Sequence, residues 1–237
     1  MDSLNQLIKS ANNLVVFTGA GMSTESGLPD FRSANRGLWT RDQKQYLSST
    51  NALNDHLQEF IEFYKKRVQG IHEFKPHKGH NILAEWEKMG VLKQIITQNV
   101  DGFHQEAGNE KVAELHGTLK KVHCETCGAS YLSEEYLHGN YACSCGGVLR
   151  PSIVLFGEML PEKPFLTAEE AAIKSDVFLV LGSSLSVSPA NQFPLLAVET
   201  GAKLIIVNKE PTEMDGIADY VIHEPIGSVL KEINSKL

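Results

Sequence analysis

Residues 14–27 read Leu14-Val15-Val16-Phe17-Thr18-Gly19-Ala20-Gly21-Met22-Ser23-Thr24-Glu25-Ser26-Gly27. A continuous apolar run ending at glycine suits a strand covered on both faces, as in a parallel sheet. The glycines and small polar residues behind it form a turn that opens a helix. Backbone N–H groups in such a turn can approach a pyrophosphate, and the helix N-terminus adds partial positive charge. Thr24 stands where the full dinucleotide fingerprint has its third glycine. A tight turn with no ligand is the competing reading at this point.

Apolar runs of the same kind recur at residues 92–97, 177–181, 204–207 and 220–222. Helical patterns lie at residues 4–12, 79–89, 167–174 and 190–200. Strands alternating with helices predict an α/β fold with a doubly wound, Rossmann-like parallel sheet. Two stretches break the rhythm: residues 33–75 are mostly polar with a helical pattern, and residues 119–148 hold every cysteine. The expected division is a dinucleotide-binding domain of residues 1–32, 76–118 and 149–237. A helical insert (33–75) and a cysteine module (119–148) then form a smaller lobe.

Composition narrows the function classes. The chain has 237 residues, 42% hydrophobic and 22% charged, which is enough for a sizeable core. No apolar run approaches the roughly 20 residues of a membrane span. The start, Asp2-Ser3-Leu4-Asn5-Gln6, does not resemble a secretory signal, so a cytoplasmic location is expected. A net charge of −7 disfavours broad nucleic-acid binding, which needs basic patches. A monomer is the default.

The cysteines are Cys124, Cys127, Cys143 and Cys145. Two pairs brought together by a loop make a tetrahedral thiolate site, a strong zinc signal. With all four positions filled by protein, such a zinc is structural. One residue, Ser144, separates the second pair, and His123 is a reserve ligand should Cys143 or Cys145 fall short.

Other polar groups sit at predicted strand ends, where α/β folds place ligands. Thr97-Gln98-Asn99-Val100-Asp101-Gly102-Phe103-His104 offers an amide and a carboxylate suited to a carboxamide, or to capping the next helix. Glu114-Leu115-His116-Gly117 puts an imidazole at the joint between the lobes, where general-base work is possible. Leu181-Gly182-Ser183-Ser184-Leu185 suits phosphate or ribose contacts, and Val207-Asn208-Lys209-Glu210 ends the following strand; small polar residues at strand ends also serve as caps. Arg150-Pro151-Ser152-Ile153-Val154-Leu155-Phe156-Gly157-Glu158 reads as an exposed apolar strand flanked by glycine, which suits strand addition or an ordinary strand re-entering the large domain.

Residues 19–32 continue to Gly27-Leu28-Pro29-Asp30-Phe31-Arg32 and resemble the sirtuin signature G-A-G-x-S-x-x-S-G-I-P-D-F-R, with Leu28 the one departure. The Thr97–His104 block, the His116 block and the Arg150–Glu158 segment resemble further sirtuin blocks. The likeness spans residues 15–226. The family normally has two residues between the second cysteine pair and Thr where Ser183 stands.

The resemblance implies an NAD-dependent protein-lysine deacylase that transfers the acyl group to ADP-ribose and releases nicotinamide. It implies cofactor contacts at Gly19, Ala20, Gly21, Ser23, Thr24, Asp30, Phe31, Arg32, Gln98, Asn99, Val100, Asp101 and His116. Gly182, Ser183, Ser184, Asn208 and Ile226, the last in a loop after the final strand, complete the adenosine side. His116 is the implied base, with Asn99 as its catalytic partner, and Phe31 the implied shield against returning nicotinamide. Val154, Phe156 and Gly157 are implied to pair with an acylated-lysine peptide. NAD is consumed as co-substrate, and zinc is structural.

Tyr64 and Arg67 share a helix face by their three-residue spacing. Sirtuins that prefer succinyl- or malonyl-lysine carry such a Tyr-x-x-Arg pair, so a desuccinylase is an alternative, against a solvated arginine on an amphipathic helix. A mono-ADP-ribosyltransferase with the same fold and cofactor is a second alternative. A hydride-transferring dehydrogenase would need the full fingerprint and an acidic residue about 20 positions on. A zinc-ribbon binding module would leave Asn99, Asp101 and His116 without a role.

Overall fold

A computed structural model of the chain describes residues 2–29 and 41–237. Along it run α1 (Asp2–Ser10), β1 (Leu14–Thr18), a 3-10 helix (Ala20–Ser26), α2 (Arg41–Leu47), α3 (Thr50–Asp55), α4 (Leu57–Glu73), α5 (Lys78–Lys88) and β2 (Leu92–Thr97). Then come α6 (Phe103–Ala107), β3 (Val112–Glu114), β4 (Gly117–Cys124), β5 (Ser130–Leu132), α7 (Glu134–Leu137) and β6 (Leu149–Ile153). The chain closes with α8 (Glu162–Lys174), β7 (Val177–Leu181), α9 (Gln192–Glu199), β8 (Lys203–Val207), a short 3-10 turn, β9 (Tyr220–Ile222) and α10 (Ile226–Asn234).

Six strands form a parallel sheet in the order β3-β2-β1-β7-β8-β9. Successive side chains on a strand point to opposite faces. Leu14, Val16, Ile95, Leu179 and Ile205 face a core shared with α1, α5 and α10. Val15, Phe17, Ile96, Phe178 and Ile206 face a second core shared with α8 and α9. Both faces are covered, which is why the strands read as unbroken apolar runs. Each fully buried side chain of this kind contributes about 1.5–3 kcal/mol.

The winding reverses between β1 and β7: the chain moves outward through β2 to β3, then returns and moves the other way through β8 to β9. Such a switch point opens a crevice at the carboxyl ends of the strands. A separate antiparallel sheet, β5-β4-β6, packs with α2–α4 around Phe60, Tyr64, Val122 and Tyr136.

The predicted fold class holds, with local differences. The turn after β1 opens a 3-10 helix. Strand β3 was not expected; three residues at a sheet edge carry too short a pattern to read. Helix α8 begins five residues early, at Glu162, because Pro164 lies in its first turn, where proline needs no hydrogen-bond donor. Ile226 is not in a loop. It opens α10, whose Ile226, Val229, Leu230 and Ile233 follow helical spacing and close the first core. No described helix is long and apolar enough to cross a membrane.

Candidate active site

The crevice is built first from backbone. Gly19 N–H donates to the Leu181 carbonyl at 3.1 Å, and Gly21 N–H to the Gly182 carbonyl at 2.8 Å. A Cβ on Gly21 would lie 2.7 Å from Gly182 Cα, and one on Gly182 would lie 2.4 Å from the Met22 nitrogen. Gly182 also has φ +64°. The glycines thus let the turn after β1 lie directly on the turn after β7, a contact that closes the switch point.

Ser23 links this turn to the end of β2. Its hydroxyl donates to Asp101 Oδ2 at 2.7 Å and accepts from Asn99 Nδ2 at 3.2 Å. Asp101 Oδ1 accepts the Phe103 N–H at 2.9 Å, so it also serves the start of α6. Burial raises the Asp101 pKa, against the pull of its two hydrogen bonds and of Lys120 and Arg67. Asn99 is held from below as well: its N–H donates to Thr97 Oγ1 at 3.0 Å, which accepts from Thr18 Oγ1 at 2.7 Å. Thr18 spends its proton there, so His104 Nε2, 3.0 Å from Thr18 Oγ1, must be the protonated ring nitrogen. Thr18, Thr97 and His104 therefore position Asn99, a role no sequence spacing announces.

His116 follows β3. Its Nδ1 lies 3.1 Å from the Gln98 carbonyl oxygen, which can only accept. Nδ1 therefore carries the proton, and Nε2 keeps its lone pair. Burial lowers the His116 pKa and the Gln98 carbonyl opposes it. The ring is neutral at pH 7, the state a general base needs. Gln98 Oε1 accepts from Ser183 Oγ at 2.9 Å, which brings the end of β7 to the same point.

The other expected cofactor residues are distributed around this centre. Ala20 is half-buried in the 3-10 helix, and exposed Thr24 donates to the Gly21 carbonyl at 2.9 Å. Val100 accepts the Leu119 N–H at 2.7 Å, and Ser184 pairs with Ser186 at 3.2 Å. Asn208 directly follows β8, with its amide donating to the Glu210 carbonyl at 2.7 Å. Buried Ile226 is tied to the glycine turn by its neighbour, since Gly227 N–H donates to Glu25 Oε1 at 2.9 Å. Glu25 was not anticipated; its partner lies 202 residues away. Asp30, Phe31 and Arg32 lie outside the described residues.

The segment after β6 is pinned at both ends. Val154 N–H donates to the His116 carbonyl at 2.9 Å. Phe156 N–H donates to the Ser48 carbonyl at 2.8 Å, and its own carbonyl accepts from Thr50 at 3.1 Å. Phe156 is 44% exposed, and Gly157 turns the chain at φ +103°. On α4, Tyr64 is fully buried, and the Arg67 guanidinium lies 5.3 Å from its ring and 5.6 Å from that of Phe63. Burial raises the Tyr64 pKa, with Arg67 opposing.

The four cysteine sulfurs lie within 4.8 Å of one another. Cys124–Cys145 and Cys127–Cys143 approach to 3.5 and 3.7 Å. Tetrahedral zinc with bonds of about 2.3 Å separates its sulfurs by about 3.8 Å, so the set fits. The one-residue spacing is accommodated by a tight turn: Cys143 N–H donates to Gly147 and Gly146 N–H to Cys143, at 2.8 and 2.9 Å. His123 is not the reserve ligand. Its ring nitrogens engage Ser152 at 3.0 Å and Glu125 at 3.2 Å.

Beneath the crevice, His80 and His104 are buried, their rings 5.0 Å apart. Burial pulls the His80 pKa down to about 2 and that of His104 down to about 3. The unfolded chain protonates these rings near pH 6.5 and the native chain does not. Their contribution to stability is therefore complete above pH 6.5 and lost as pH falls toward 3. Between pH 7 and 5 the pair removes about 3–4 kcal/mol, while Asp101, whose pKa is raised, acts in the opposite sense. Urea unfolding of the parent and of His80→Phe at both pH values isolates the term. The expected result is a smaller loss in the variant; equal losses would refute it.

The fold and site together define an NAD-binding enzyme with a thiolate metal knuckle. The Sir2 family model matches residues 19–189, and the chain belongs to this family, the sirtuins. It is 57% identical over 230 residues to an NAD-dependent protein deacetylase of Oceanobacillus iheyensis, covering 97% of this chain and 98% of that protein. It is 56% identical over 236 residues to NAD-dependent protein deacetylase 1 of Geobacillus kaustophilus, covering 99% and 98%. Among solved structures, a Sir2 homologue in complex with NAD matches with TM-score 0.93 and 36% identity, over 99% of this chain and 93% of that one. A Sir2 complex with a p53 peptide and NAD matches with TM-score 0.91 and 34% identity, over 100% and 98%.

Proposed function

We propose that this chain is an NAD-dependent protein-lysine deacylase that moves the acyl group from lysine to ADP-ribose and releases nicotinamide. The observation that carries the reading is His116: a neutral imidazole with its proton held at Nδ1, beside the Asn99–Ser23–Asp101 network at a switch-point crevice. The relatives' activity and the peptide and NAD complexes of the solved Sir2 structures support it.

NAD, when bound, supplies the ribose carbon that receives the acyl oxygen, with nicotinamide as leaving group. The chain's own residues do the rest. Gly19, Ala20, Gly21, Ser23 and Thr24 hold the pyrophosphate side, and Asn99 and Asp101 hold the carboxamide. Gln98, Val100, Gly182, Ser183, Ser184, Asn208 and Ile226 shape the ribose and adenine side. His116 accepts a proton at Nε2 from a ribose hydroxyl, while Gln98 keeps the ring in the required tautomer. Asp30, Phe31 and Arg32 join this set by family resemblance. Val154, Phe156 and Gly157 are the proposed contacts of the acyl-lysine peptide, on a segment whose Val154 N–H and Phe156 backbone are paired with His116, Ser48 and Thr50. Zinc on the four thiolates has no open position and stabilises the small lobe.

Two packed cores beside the parallel sheet and a third around the cysteine module support a two-lobe division, the large domain being read from sequence as 1–32, 76–118 and 149–237, although β6 (Leu149–Ile153) pairs and packs with the small lobe. Four free thiols arranged for a metal support a reducing, cytoplasmic location. Peptide-dependent release of nicotinamide from NAD tests the activity. No release from folded, zinc-loaded protein with any acyl-lysine peptide would reject it.

A second reading concerns the acyl group. Arg67 is steadied by two aromatic rings, and among the described residues no carboxylate forms an ion pair with it. This favours a carboxylated acyl chain such as succinyl. One charge-assisted hydrogen bond of about 1.5–3 kcal/mol corresponds to about 10–100-fold. Arg67→Met is expected to lower desuccinylation by that factor and to spare deacetylation. Equal losses on both peptides would remove the idea.

A further inference from the structure

The turn read above as peptide-binding is held by an ion-pair chain that the reaction itself does not use. Arg150, on β6, is 8% exposed along its side chain. Its Nη2 donates to Glu158 Oε1 at 2.6 Å, its Nη1 to the Ile153 carbonyl at 3.0 Å, and its Nε to Glu125 Oε1 at 2.5 Å. Glu158 uses its other oxygen inward: Oε2 accepts the Leu155 N–H at 2.8 Å, and Glu158 N–H donates to the Leu155 carbonyl at 3.0 Å. One carboxylate thus closes the 155–158 turn and locks it to Arg150. Glu125 sits between Cys124 and Cys127, so its place is set by the metal knuckle.

We propose that Arg150 is a positioning residue for peptide binding, holding the 155–158 turn in its binding shape through Glu158 and taking its own orientation from Glu125 of the cysteine knuckle. This rests on the assignment of Val154, Phe156 and Gly157 to the substrate peptide. The physical reason is completeness of pairing. A buried guanidinium with one carboxylate removed is left with uncompensated charge, and it reorganises to find another partner. The turn is the exposed end of the chain of pairs, with Phe156 and Met159 44% and 90% exposed, and the Arg150–Glu158 pair adds to the backbone bonds that Phe156 makes with Ser48 and Thr50. Loosening it lowers the fraction of molecules ready to accept a strand, and apparent peptide affinity falls by that fraction. None of these side-chain bonds reaches a crevice residue; the one link to the crevice, from Val154 N–H to the His116 carbonyl, is a backbone bond outside the Arg150–Glu158 pair, so NAD affinity is expected to stay unchanged. The cysteine module thereby sets substrate affinity as well as stability.

The test is binding of a fluorescently labelled acetyl-lysine peptide to the full, zinc-loaded chain by anisotropy, with NAD affinity measured alongside. Arg150→Met and the milder Glu125→Gln are compared with the parent. Arg150→Met is expected to weaken peptide binding about tenfold and Glu125→Gln about threefold, with zinc content and NAD affinity unchanged. Peptide affinities within about twofold of the parent would overturn the proposal, as would a matching loss of NAD affinity. Should Arg150→Met not fold, Glu125→Gln decides, because its side chain is 38% exposed and Gln keeps its shape. A parent protein that binds no acyl-lysine peptide, with or without NAD, defeats the deacylase reading and this proposal with it. Binding by the parent with unchanged variants defeats this proposal alone.

Discussion

His116→Ala lowers the turnover of an acyl-lysine peptide by about 10²–10⁴-fold, the range a positioned general base supplies. The ring is half-buried and its side chain makes one hydrogen bond, to the Gln98 carbonyl, so its removal leaves the sheet intact. Zinc content and melting temperature are expected to stay near those of the parent. The pH profile carries a second signature. With its pKa lowered by burial, His116 stays unprotonated below pH 6.5, so the acid limb of kcat/KM lies below that value in the parent. Turnover within a few-fold of the parent would show that another group takes the proton.

Cys127→Ser is expected to release the zinc and unfold the small lobe. Cys127 and Cys145 are exposed, whereas Cys124 and Cys143 are 1% and 7% exposed and belong to the third core. Substituting a buried cysteine would mix lost packing with lost ligation; substituting Cys127 tests ligation alone. Structural zinc sites bind with about 10–16 kcal/mol, comparable to the 5–15 kcal/mol stability of a whole domain. The expected outcome is loss of metal by elemental analysis and a melting transition lowered by 10 °C or more, about 2.5–5 kcal/mol for a chain of this size. The catalytic crevice has its own cores, so the large sheet should keep its far-ultraviolet circular dichroism. Retained zinc and an unshifted transition would exclude the four-cysteine site.

The sheet was legible because its signal is dense. The three central strands β1, β7 and β8, buried on both faces, appear as nearly uninterrupted Val, Ile, Leu and Phe, and no other element of a chain this size needs such runs. Strand β3 escaped because three residues at an edge, with Ala113 alone fully buried, make no pattern. Helix α10 escaped for a different reason. Its spacing is regular, but the family likeness drew attention to Ile226 as a single contact beyond the last strand and away from the helix it begins.

The site divides along the same line. Chemical identity was written in the chain: four clustered thiols, an imidazole at a domain joint, an amide and a carboxylate after a strand. Placement was not. That Ser23 bridges Asn99 and Asp101, that Thr18 and Thr97 hold Asn99 from below, and that Glu25 anchors α10 all depend on partners 76 to 202 residues apart. Such pairs leave no local periodicity. Residue types, strand runs and cysteine spacing are properties of neighbours along the chain, and the sequence alone determined those. The tautomer of His116, the burial of His80 and His104, and the tie from Glu125 through Arg150 to Glu158 depend on which surfaces meet in space. Only the folded structure decides them, because burial and hydrogen-bond geometry exist only once distant segments have packed.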